Sequence, residues 1–192
     1  MPLTIGLTGG IAAGKSEALA AFERLGAATI SSDAVVHELL DSEPLLSRLA
    51  ERWGEDVAPD GRVDRNRVGE LVFADPEQLS WLEAQVHPLV GERIGSWLAS
   101  LPADTEIAVV EVPLLFESGM DGVFDTTVAV VTSDEVRRGR AEARDHALVG
   151  EREARQLSQA EKAGRAAHVI ENDGSLDDLE RALSALVENL GV

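Results

Sequence analysis

The chain has 192 residues, 44% hydrophobic and 4% aromatic, which suits one aliphatic-cored domain with a single inserted lobe. It contains no cysteine, excluding disulfides and thiolate metal sites, and its 35 acidic against 17 basic residues leave a formal charge of −18, which argues against nucleic acid or an anionic membrane as partner. No apolar run approaches the roughly 20 residues of a membrane span, and Met1-Pro2 leads straight into an apolar segment with no room for a signal peptide, so a cytoplasmic protein is expected. In chain order, Leu3, Ile5 and Leu7 predict a first strand, Glu17 to Leu25 a helix, and Ala27 to Ile30 a second strand. From Ala34 to Leu101 the pattern is helical throughout: Ala34–Leu40, Pro44–Trp53, Asp64–Phe73, Pro76–Val86 and Pro88–Leu101, with a turn at Ala58-Pro59-Asp60-Gly61. Proline in the first turn favours three of those starts. Strands return at Glu106–Val112, Thr126–Thr132 and Ala167–Glu171. The unbroken apolar runs Ile107–Val110 and Val128–Val131 fit parallel strands buried on both faces.

The expected architecture is therefore α/β: a five-stranded parallel sheet flanked by helices, with a helical insertion over 34–101 between strands two and three. Ligands should sit at the carboxyl ends of the strands, and the insertion is a natural place for a second substrate. All three tryptophans, at 53, 81 and 97, fall in it, and core packing is a better account of them than a binding platform.

Between the first strand and the first helix, Gly9-Gly10-Ile11-Ala12-Ala13-Gly14-Lys15-Ser16 spells G-x-x-x-x-G-K-[ST]. Strand before and helix after are the context in which such a loop wraps an anion with its backbone N–H groups; a loop that merely turns strand into helix is the plainer alternative. Gly10, Ile11, Ala12, Ala13 and Gly14 form the cradle, Lys15 can reach the β- and γ-phosphates, and the Ser16 hydroxyl can ligate Mg²⁺. The signal is that of a P-loop fold that binds a nucleoside triphosphate. In so acidic a chain, positive charge must gather where phosphate binds. Only two lysines exist, Lys15 and Lys162, and eight of the 17 basic residues lie between Arg137 and Arg165. The alternative for that cluster is a solvated helical face balanced by local acids.

Further positions carry chemistry. Asp33, just after strand two, can accept or orient a hydroxyl proton, or simply cap the next helix. Glu111, at the end of strand three, can help hold Mg²⁺ through water, or bond a neighbouring loop. Arg140 and Arg144 share a helical face and can grip a transferring phosphoryl group. The histidines at 37, 87, 146 and 168 lack metal-ligand spacing. His87, before Pro88, suits packing or substrate contact.

Taken together, these residues resemble the dephospho-CoA kinase family. The markers are Gly6-Leu7-Thr8-Gly9-Gly10-Ile11 with Gly14-Lys15-Ser16, Asp33, Val63-Asp64-Arg65, Val72-Phe73-Ala74-Asp75-Pro76, His87-Pro88-Leu89 and Val112-Pro113-Leu114-Leu115-Phe116-Glu117. Arg140, Arg144-Asp145, Gln156, Glu161-Lys162 and Val169-Ile170-Glu171-Asn172 follow. The resemblance implies transfer of the ATP γ-phosphoryl to the ribose 3′-hydroxyl of dephospho-CoA, with Mg²⁺, under a lid over 138–165; a monomer is the expected state. It implies Asp33 as the base, Lys15 and Arg140 as catalytic partners, Glu17 and Arg144 beside the nucleotide, and Asn172 by the adenine. Asp33, His37, Arg65, Phe73, His87 and Leu115 are its substrate-binding positions. Departures are Ala12-Ala13 for Gly-Ser, Glu17 for threonine, Ser31 and Glu111 for aspartate, His37 for arginine, and a short stretch between Asp145 and Arg152. A kinase for another small acceptor, and a nucleotide-binding relative without catalysis, are the competing readings.

Overall fold

Ile5 and Leu7 are wholly buried on one face of β1 (Leu3–Gly9), the central strand of the sheet in a computed structural model of the chain. The structure describes residues 1–142 and 156–191. The other strands are β2 (Ala28–Ser31), β3 (Ile107–Glu111), β4 (Thr126–Val131) and β5 (His168–Glu171), in the order β2-β3-β1-β4-β5. Every pairing is parallel. The registers Leu7 to Glu111, Ser31 to Glu111, Gly9 to Val130 and Val131 to Glu171 bring all the carboxyl ends to one edge. That edge is where this topology leaves a crevice for ligand.

The chain forms two compact units. The sheet unit comprises Met1–Ser31 and Leu101–Val192. In it α1 (Lys15–Arg24) buries Ala18, Ala21 and Phe22. A second helix from the far end of the chain, α8 (Leu176–Leu190), packs beside it and buries Leu179, Leu183 and Leu186. The spacing of three and four residues puts each set on one helical face, and both faces close over Ile5, Leu7, Val109, Val128 and Val130. On the other face of β1, Gly6 lies under Leu115 and Phe124. Two helices flank the undescribed stretch, α6 (Asp134–Glu142) and α7 (Gln159–Arg165).

The helical unit, Ser32–Ser100, holds α2 (Ser32–Leu40), α3 (Glu43–Trp53), α4 (Arg65–Ala74) and α5 (Pro76–Ser100), with two short 3₁₀ turns between α3 and α4. Asp64 caps α4 by accepting from the Asn66 and Arg67 amides at 3.0 and 3.1 Å. The expected break before Pro88 does not occur. Pro88 lies inside α5, where it forfeits one helical hydrogen bond and costs about 3 kcal/mol. Val86, Val90 and Ile94 are buried at four-residue intervals straight through it, and α5 packs on both α2 and α4. Burial of roughly 1.5–3 kcal/mol per side chain outweighs the proline. Trp53 and Trp81 meet edge to face at 5.1 Å, and the Trp53 indole N–H donates to Gln78 Oε1 at 2.9 Å. Both therefore pack within the unit.

Candidate active site

The loop 10–14 leaves the carboxyl end of β1 and turns back on itself, the Ala13 amide donating to the Gly10 carbonyl at 3.2 Å. Gly14 caps α1 in the left-handed region (φ 94), so the helix begins at Lys15 rather than at Glu17 as the pattern suggests. No side chain caps that terminus. A helix N-terminus aimed along the loop favours an anion. Lys15 Nζ donates to the carbonyls of Gly9 and Gly10 at 3.3 and 3.0 Å, which holds the ammonium against the cradle. Ala12 also takes a left-handed conformation (φ 61), unusual for a residue with a Cβ.

Beside the loop is a cavity of about 420 Å³ lined by Ala12, Gly14, Glu17, Asn172, Ser175 and Leu176. Asn172 is buried and belongs to its wall: Nδ2 donates to the Ala13 carbonyl at 2.9 Å, and its amide to Val131 at 2.8 Å. The side chain expected by the adenine thus also ties the phosphate loop to the end of β5. Next to it, Asp173 Oδ1 accepts from Thr132 Oγ1 at 2.7 Å and from the Ser133 amide at 2.6 Å. The ends of β4 and β5 are joined where α6 begins.

Ser16 is exposed in the first turn of α1, and Glu111 is buried at the end of β3. Both offer hard oxygen donors, and among the described residues no three His, Cys, Asp or Glu groups gather as a metal cage. That donor set fits Mg²⁺, which takes most of its shell from phosphate and water.

The remaining candidates divide between the units. Asp33, His37, Arg65, Phe73 and His87 all belong to the helical unit; Leu115 and Asn172 belong to the sheet unit. Asp33 stands two residues past β2 in the first turn of α2, exposed, and its carboxylate makes no capping bond among the described residues. His37, one turn on, is exposed on the same face. Arg65 pairs with Asp41 at 3.4 Å, Phe73 is half-buried, and His87 is exposed on α5. Leu115 is wholly buried against Gly6, so its side chain packs the sheet unit. Arg140 lies in α6; Arg144, Arg152 and Arg155 lie outside the described residues, as does the middle of the expected lid, 143–155. Of the basic cluster, Arg137 pairs with Asp134 at 3.2 Å, the local balance of a solvated face, whereas Lys162 is buried outright.

Sequence reasoning missed Gln159. Its amide pairs with the backbone of Thr132 in both directions, each at 3.1 Å, while its chain lies over Gly10. The Ser158-x-x-Glu161 capping box was the available signal that a helix starts there.

The family model described as "CoaE: Dephospho-CoA kinase" matches residues 3–178. A dephospho-CoA kinase from Thermosynechococcus vestitus is 36% identical over 98% of this chain and 95% of its own length. One from Symbiobacterium thermophilum is 43% identical over 90% of this chain and 75% of its own. A crystal structure of a Thermus thermophilus protein, 38% identical, superposes with a TM-score of 0.82 over 98% of both chains.

Proposed function

This chain belongs to the dephospho-CoA kinase family, and on that premise we propose how its residues divide the work. It is a transferase that phosphorylates dephospho-CoA at the expense of ATP, in coenzyme A biosynthesis. The observation that carries the reading is the phosphate loop at the end of β1, opening beside the cavity of about 420 Å³, in a chain matched by the family over residues 3–178.

In the mechanism we infer, the loop amides and Lys15 hold the β- and γ-phosphates, and the adenine occupies the cavity beside Asn172. Asp33 accepts the proton of the ribose 3′-hydroxyl as that oxygen attacks the γ-phosphorus; the bond to the β–γ bridging oxygen breaks, and ADP leaves. Ser16 would hold Mg²⁺ directly and Glu111 through water, where the ion would neutralise charge on the phosphate oxygens. Arg140 and Arg144, on the segment over 138–165 that serves as the lid, add charge to the transferring group. The helical unit, with His37, Arg65, Phe73 and His87, receives dephospho-CoA. The enzyme works as a cytoplasmic monomer. No helix among the described residues is long and apolar enough to cross a membrane.

The test is ADP release with ATP, Mg²⁺ and a panel of dephospho-CoA, AMP, CMP, adenosine and shikimate. Turnover should be confined to dephospho-CoA, with the new phosphate on the 3′-oxygen by ³¹P NMR. Comparable turnover of a mononucleotide or shikimate would sink the acceptor assignment; nucleotide binding with no acceptor-dependent ADP would favour a non-catalytic relative.

A further inference from the structure

Lys162 has no exposed surface, and nothing in the mechanism above uses it. It projects from α7, the helix through which the chain returns to the sheet. Its Nζ donates to the Pro113 carbonyl and pairs with Glu117 Oε1 at 3.1 Å. The same Glu117 oxygen accepts from the Leu157 amide at 2.8 Å, just before α7 begins. The Pro113 carbonyl also accepts from Thr8 Oγ1 at 3.2 Å, one residue before the phosphate loop. One ammonium therefore joins the end of β1, the loop after β3, and the start of α7. Arg165, one turn further along α7, lies over the Phe116 ring at 4.8 Å and tightens the same contact.

The consequence falls on the phosphate loop. Gln159, one turn before Lys162, lies so close to Gly10 that a Cβ there would meet Gln159 Cγ at 2.5 Å. Whatever fixes α7 thus fixes the outer wall of the loop at Gly10. Stability is a poor reason for such a pair. Burying two charges is commonly no better than burying apolar groups of equal size, and Glu117 Oε2 is buried with no hydrogen-bond partner among the described residues. Burial also pushes the Lys162 ammonium below its ordinary range, against the opposing pull of Glu117.

We propose that Lys162 is a positioning residue for the kinase reaction: by gripping Pro113 and Glu117 it seats α7 so that Gln159 confines the phosphate loop at Gly10. The inference rests on the kinase reading for its effect on turnover, but not for its effect on the loop. Misplacement of the phosphates by a fraction of an ångström lowers kcat more than affinity, because alignment matters most in the transition state.

The experiment compares wild type, Lys162→Met, Lys162→Met/Glu117→Gln and Glu117→Gln. The double variant removes both charges, while the carboxamide oxygen introduced by Glu117→Gln can still accept from the Leu157 amide. We expect its Tm to lie near that of wild type, its KM for dephospho-CoA to hold, its kcat to fall roughly 10- to 100-fold, and amide hydrogen exchange across residues 5–17 to quicken. Glu117→Gln alone keeps the grip on Pro113 and should retain most of kcat. A merely structural pair predicts instead that kcat returns together with Tm in the double variant. That outcome, unchanged exchange across the loop, or an equal loss in Glu117→Gln alone would overturn the proposal. If wild type itself fails to turn over dephospho-CoA, the kinase reading falls, and the exchange measurement still decides the role of Lys162.

Discussion

Two residues, one in each unit, make separable predictions. Asp33 is exposed in the first turn of α2 and forms no cap among the described residues, so removing its charge should touch chemistry rather than folding. Asp33→Asn should lower kcat by on the order of 10²–10⁴ while leaving the affinity for a non-hydrolysable ATP analogue unchanged by calorimetry. A variant with ordinary kcat would leave Asp33 with no catalytic part. Ala12 is strained at φ 61, where a Cβ crowds the backbone. Ala12→Gly should relieve that strain and, after the added entropy of the unfolded chain, stabilise by roughly 0.5 kcal/mol. A higher denaturation midpoint at unchanged slope is the expected result; a lower midpoint would mean that the methyl group packs well enough to offset the strain.

At the scale of elements, α8, whose start lines the cavity beside the phosphate loop, begins with a side-chain cap. Ser175 and Asp178 cap α8 reciprocally, next to the cavity wall, with Ser175 Oγ donating to Asp178 Oδ2 at 2.6 Å. Ser175→Ala should destabilise by about 1 kcal/mol at neutral pH. The bonds from the Ser175 side chain and then its backbone hold the Asp178 carboxyl below the usual carboxylate range. A carboxylate with a depressed folded pKa stabilises above its unfolded pKa and loses that contribution as pH falls through the folded value. The gap between wild type and Ser175→Ala in urea titrations should therefore hold steady at neutral pH and shrink only below about pH 4. A gap that closed near pH 6 would implicate another group.

For the molecule as a whole, charge imbalance is the governing feature. A formal charge of −18 makes the folded chain repel itself. The described ion pairs that oppose this are largely surface contacts such as Arg24 with Glu180, each worth at most about 1 kcal/mol. Screening should weaken the diffuse repulsion more than these short contacts. Thermal scans at neutral pH should show Tm rising as sodium chloride is added from low to physiological strength. A falling Tm would mean that local pairs dominate.

Sequence alone determined the phosphate loop, because strand, glycine-bearing turn, Lys15 and Ser16 are contiguous and their chemistry is local. It determined the parallel α/β class too, since Ile107–Val110 and Val128–Val131 read as strands buried on both faces. The helical stretch was legible by periodicity, but not the continuity of α5, because a proline's local penalty was overruled by packing from Val86, Val90 and Ile94. For Asn172 the resemblance implies a place by the adenine; that its side-chain amide donates to the Ala13 carbonyl, 159 residues away, needed the fold. So did the strand order, which depends on pairings between distant segments, and the burial of Lys162, whose partners Pro113 and Glu117 come from another loop. Local order follows from neighbours along the chain, whereas desolvation and long-range hydrogen bonds depend on what the folded sheet and helices bring together in space.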